Sequence, residues 1–146
     1  MRRLRHDDEG SALIEFVGLA VLLLIPLVYL LLSVFLVQRA AFAVTQAARE
    51  AGRAYVTAPS TTAAATRAAY AARLALSSQG VTAGVSLRYV ATGSGCGSAA
   101  DGAASLQPGA RFVVCVRTQA ALPLGGSVTV NGQYAVNVDT YRTARG

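Results

Sequence analysis

Twenty-two consecutive uncharged residues, FVGLAVLLLIPLVYLLLSVFLV from Phe16 to Val37, constrain the fold of this chain more than any other feature. At ~1.5 Å per residue, a helix of that length reaches ~33 Å and crosses a bilayer core of ~30 Å. Seventeen of the twenty-two are Leu, Ile, Val or Phe. At roughly −0.3 to −0.6 kcal/mol each they favour insertion by ~5–10 kcal/mol, an upper bound because residues away from the bilayer centre count for less. A buried core helix is the alternative, but a chain of 146 residues has too little else to cover such a run on all sides. The expected layout is a cytoplasmic leader at 1–10, a transmembrane helix at 11–37, a helical extension at 38–57 and a small extracytoplasmic domain at 58–146.

Charge alone does not orient this helix. Arg2, Arg3 and Arg5 precede the run, and Arg39, Arg49 and Arg53 follow it closely, so the positive-inside count is a draw. The cysteines carry more information. Cys96 and Cys115 both lie beyond the membrane run, separated by eighteen residues. On the oxidising side of a membrane a bridge between them would stabilise a small domain by ~3 kcal/mol. In a reducing compartment they would be two free thiols. The pair therefore favours a domain outside the cytoplasm.

Ahead of the run, the leader MRRLRHDDEG sums to zero charge from three Arg and three acids, leaving His6 aside. It ends at Gly10, after which come Ser11, Ala12, Leu13, Ile14, Glu15 and Phe16. A glycine followed five residues later by an acid, at the mouth of an apolar helix, resembles the type IV prepilin junction. Together with Pro26 and the Ala-rich helix that follows, Glu9 to about Arg53 looks like a TadE-like pseudopilin of the tight-adherence (Tad/Flp) pilus system. That resemblance implies cleavage by a prepilin peptidase between Gly10 and Ser11. It also implies that Glu15, with Phe16 beside it, forms an assembly contact to the Ser11 amine of a neighbouring subunit. Other pilin and pseudopilin subunits, an assembly ATPase and pilus platform proteins would be the partners.

The residues make that chemistry reasonable. Gly10 is conformationally permissive and can lie extended in a protease site at the membrane surface. Glu15 sits one helical turn beyond Ser11, where an unpaired carboxylate is costly. Before assembly Glu15 can instead pair within its own chain one turn back, at Ser11, and the remaining alternative is an interfacial Glu15 reaching lipid headgroups. Two other functional readings stay open. One is an uncleaved, signal-anchored binding module of the cell envelope. The other is a soluble secreted protein cut near Ala43, since Ala41-Phe42-Ala43 supplies an A-x-A tripeptide.

Beyond the membrane run, Ala40, Val44, Ala47, Ala48, Ala51 and Tyr55 share one helix face. Such small residues admit close backbone approach, either to neighbouring subunits or to the chain's own sheet. Pro59 and Ser60 mark a break and an N-cap, and a second helix runs from Thr61 to Ser78 with Gly80 as its stop. It carries Tyr70 and Leu74 one turn apart, with Arg67 and Arg73 turned outward. Val85, Leu87 and Tyr89 alternate with polar residues as a strand; Phe112, Val114 and Val116 do the same, which puts Cys115 on the opposite face. Residues 92–110, rich in Gly, Ala and Ser, need a tether if they are to be ordered. Pro123 to Gly126 is a turn, and Val128–Val130 and Tyr134–Val138 suggest a hairpin about Asn131-Gly132, with a loop longer than two residues to match their faces. The fold class expected is α+β: a long N-terminal transmembrane helix, a second helix and about four antiparallel strands.

Nothing in the chain suggests catalysis. The one histidine is in the leader, and Glu50, Asp101 and Asp139 are widely separated. No nucleophile–base pair, metal-ligand cluster, phosphate loop or cofactor motif is present in the sequence. Thirteen Arg against seven acids leave a net charge of +6, but the arginines are scattered, without the basic, aromatic-interleaved stripe of a nucleic-acid binder. An acidic surface such as lipid or cell-wall polymer suits that charge better.

Overall fold

The apolar run and its Ala-rich continuation form one unbroken helix, α1 (Glu9–Val56), in the computed structural model, which describes residues 9–97 and 104–142. After it come α2 (Thr61–Ser78), β1 (Ser86–Ala91), β2 (Arg111–Ala121) and β3 (Ser127–Asn137). The chain divides into two compact units, one ending at Phe35 and the other beginning at Leu36.

In the first unit the α1 side chains beyond Glu15 are nearly all apolar on every face, and from Ala12 nearly all are exposed. Such a helix suits a solvent of hydrocarbon, and it is long and apolar enough to span a membrane. The Ser33 hydroxyl donates back to the Tyr29 carbonyl at 2.8 Å, so its polar group is satisfied within the helix. Pro26 lies inside α1 without ending it.

In the second unit the continuation of α1 and the whole of α2 cover one face of a sheet ordered β1-β2-β3, antiparallel throughout. The alanine stripe lies inside this core: Ala40, Ala43, Val44, Ala47, Ala48, Ala51 and Tyr55 are all buried. The chain's own sheet and second helix thus occupy the small-residue face, which leaves none of it for a neighbour. α2 buries Ala64, Ala68, Ala72 and Leu76. Its ends match their chemistry. The Ser60 hydroxyl accepts from the Ala63 amide, a cap worth ~1 kcal/mol. At the other end Gly80, at φ +70°, closes a Schellman turn in which Val81 N–H donates to the Leu76 carbonyl and Gly80 N–H to that of Ser77. The Arg142 guanidinium donates to the carbonyls of Val56 and Ala58, satisfying acceptors at the end of α1.

Among the described residues the sheet has three strands, where about four were expected. Where a hairpin about Asn131-Gly132 was expected, β3 runs straight through, with Gly132 paired to Val116 and Asn131 to Arg117. The glycine serves close packing instead of a turn. A Cβ there would lie 2.7 Å from the Thr45 amide nitrogen and closer still to the Val44 carbonyl. The straight strand also removes the conflict of faces: Val130, Gly132, Val136 and Val138, all of one parity, are the buried positions.

Tyr70 and Leu74 are a second correction. Both are exposed, because the alanines of α2 take the inward face. Alanine lets the helices approach closely, and that geometry outweighs burying the two larger side chains.

Candidate functional site

The residues singled out for processing and assembly lie at the start of α1. Gly10 and Ser11 fall within the helical span, and the described side chains begin at Ala12. Glu15 and Phe16 both face outward, Phe16 with 71% of its surface accessible. Leu13, Ile14 and Val17 around them are exposed as well. Among the described residues, no hydrogen bond or ion pair engages the Glu15 carboxylate. Glu15 is therefore an acid on an apolar helix with no partner within the described part of its own chain. In hydrocarbon, that arrangement calls for an external cation, a headgroup or protonation.

The second set of residues is the cysteine pair. Cys96 and Cys115 are joined by a disulfide, with Cα atoms 5.6 Å apart. Cys115 sits in the middle of β2, between Arg88 of β1 and Gln133 of β3. Its side chain points away from the helices, as the strand alternation required. There Val90, Val113 and Cys115 form a separate buried cluster against which Cys96 packs. The bridge thus pins the segment after β1 over the outer face of the sheet, and covers apolar surface that the helices do not reach.

The return of that segment is held from the inside. Tyr55, at the end of α1, donates its hydroxyl to the Ala104 carbonyl at 3.0 Å. Its ring packs against Tyr89 and Phe112, with centroids 5.0 and 5.2 Å away. These three rings tie α1 to β1 and β2. The Tyr89 hydroxyl is buried and has no hydrogen-bond partner among the described residues. Loss of solvent, and then the neighbouring Tyr55, push its pKa up to about 12. Tyr55 is shifted upward too, by burial.

Sequence reasoning missed one surface feature, an open groove between α1 and α2. Phe42, Thr45 and Arg49 line one wall, and Ala71, Leu74 and Ser78 the other. Phe42 is 77% exposed, a large apolar side chain facing outward five residues past the end of the uncharged apolar run. The signal is present in the sequence, because Phe42 lies off the alanine stripe. Among the described residues no group of His, Cys, Asp and Glu could hold a metal ion.

The chain matches no family model, no curated protein and no solved structure.

Proposed function

We propose that this chain is a minor pseudopilin, a membrane-anchored assembly component of a Tad-type (type IVb-like) pilus or secretion system, with its N-terminus cytoplasmic and its domain outside. The observation that carries this reading is the junction itself. Gly10-Ser11 and Glu15-Phe16 stand at the mouth of an apolar helix that continues without a break into the core of its own domain. In a pilin-like subunit such a helix is first a membrane anchor and then a packing element. Prepilin peptidase would cut after Gly10, and the new Ser11 amine would carry a positive charge. Glu15, unpartnered within its described chain, is the complementary group for that amine on the next subunit. A charge pair made in a low-dielectric layer is strongly register-dependent, since a one-residue slip leaves two buried charges unpaired. Platform proteins, the assembly ATPase and other pilin subunits are the partners of this reading, and the disulfide suits a domain in an oxidising compartment.

The secreted alternative loses support from packing. A cut after Ala43 would remove Ala40 and Ala43 from the core and leave Gly132 against the first residue of a frayed helix. The uncleaved anchor remains the competing reading. Substitution of Glu15 by Ala separates them: membrane insertion should persist while co-purification with other pilus subunits falls. Undiminished co-assembly of that variant would count against a pairing role for Glu15.

A further inference from the structure

We propose that the open half of the outer sheet face is a binding site for carboxylated sugars, centred on Arg117 of β2. That face is divided. Toward one end Val90, Val113 and Cys115 form the apolar cluster against which Cys96 packs. Toward the other, the strand register sets Ser86, Arg117 and Asn131 side by side across the three strands, with Gln119 and Thr129 as the next outward pair. They alternate with the buried Thr118 and Val130, so all of them share the face turned away from the helices.

An open cavity of about 530 Å³ lies at this end, within the size range of small-molecule sites. Ser86, Arg117, Gln119 and Thr129 line it, together with Gly84 and Val85. From the buried side, the Thr118 hydroxyl donates to the Gly84 carbonyl at 3.0 Å and fixes the backbone at its edge. The polar lining is also held by its neighbours. Arg117 Nε donates to the Asn131 side-chain oxygen at 3.1 Å, which orients the guanidinium and leaves its terminal nitrogens to donate to a ligand. The Ser127 hydroxyl donates to Gln119 Oε1 at 3.2 Å, which leaves the Gln119 amide nitrogen as a donor.

The ligand class follows from this inventory. β1, β2 and β3 contain no Asp or Glu, so nothing on the strands competes for Arg117 or repels an anion. A guanidinium takes a carboxylate through two parallel hydrogen bonds. Around it, two hydroxyls and an amide can donate or accept, which suits the hydroxyls of a sugar ring. The lining offers one cation and no aromatic ring. A nucleic acid strand would call for bases stacked on aromatic side chains, and a polyphosphate for several cations. One carboxylate among many hydroxyls, as in a uronic acid, is the match.

The full chain in a zwitterionic detergent is titrated calorimetrically with trigalacturonate, with the neutral sugar maltotriose and with tripolyphosphate. Trigalacturonate is expected to bind, and Arg117→Gln to weaken it about tenfold or more. Gln119→Ala should weaken it several-fold. Both side chains are exposed, so the thermal midpoints should not move. Arg111→Gln is the control: it removes the same charge from the same face, ~20 Å away along β2, and should change affinity less than about twofold. Equal losses from Arg117→Gln and Arg111→Gln would overturn the site, leaving only diffuse attraction to a basic chain. Maltotriose binding as tightly as trigalacturonate would overturn the role of the carboxylate. Tripolyphosphate binding as tightly, with the same dependence on Arg117, would overturn the sugar assignment, and no heat from trigalacturonate would overturn the proposal outright.

Discussion

Replacing Gly132 with alanine is the sharpest test of how this domain is built. The added methyl would stand 2.7 Å from Thr45 N, with the Val44 carbonyl nearer still. Ordinary contacts are ~3.5–4.0 Å, so the helix and strand must separate by about 1 Å. The obstacle is helix backbone, which cannot rotate aside as a side chain can. A gap of that size forfeits a quarter to a half of the dispersion at each affected contact, and overpacking of this kind costs ~1–3 kcal/mol. The loss falls on Val44, Ala47 and Ala48, which are buried in the same core. For a domain of this size that corresponds to a thermal midpoint lower by roughly 5–15 °C, read by circular dichroism in detergent micelles. Asn131→Thr is the necessary companion. In a tight Asn-Gly turn, threonine would be forced toward positive φ and would destabilise. In a continuous strand it replaces an exposed residue whose main loss is a 3.1 Å hydrogen bond from Arg117, so it should stay within ~0.5 kcal/mol of wild type. A tolerant Gly132→Ala together with a damaging Asn131→Thr would refute the straight strand and restore the hairpin.

Removing the disulfide with Cys115→Ser, or reducing it, should cost ~3 kcal/mol through the loop it closes, seen as a reductant-dependent loss of thermal stability. A reductant-insensitive midpoint would contradict its role as the tether of the outer face. Tyr89 should make the fold base-sensitive. Its folded pKa of about 12 exceeds the ordinary tyrosine value of about 10, so its contribution is fully present below pH 10 and is lost as pH rises toward 12. Tyr89→Phe should flatten that part of the pH–stability curve without lowering stability at neutral pH, because the hydroxyl it removes has no partner among the described residues.

Much of this architecture is legible in the sequence because local chemistry and global packing agree there. The uncharged run, the Ser60 cap, the Gly80 stop and the alternation through Tyr89 each have a single physical solution that tertiary contacts do not oppose. The placement of Cys115 away from Val114 and Val116 also follows from strand periodicity alone. Two expectations failed where residues were read by their local signal alone. Asn131-Gly132 carries a strong turn signal, yet Val128, Val130, Tyr134, Val136 and Val138 share one parity, which is the mark of a single strand. Tyr70 and Leu74 attracted burial by size, although Ala64, Ala68, Ala72 and Leu76 repeat at every fourth position. In both cases close backbone approach decided the outcome, and a local reading of one residue type cannot see the element that will approach. The junction at Gly10 and Glu15 is legible in a different way. In the proposed reading its chemistry concerns a peptidase and a neighbouring subunit, and neither is part of this chain.

The central claim is that the leader is removed so that Ser11 becomes the first residue of an assembling subunit. Intact-mass measurement and N-terminal sequencing of the protein from native membranes address it directly. A mature chain beginning at Ser11 is expected; a chain retaining Met1 would contradict the processing step and favour an uncleaved anchor.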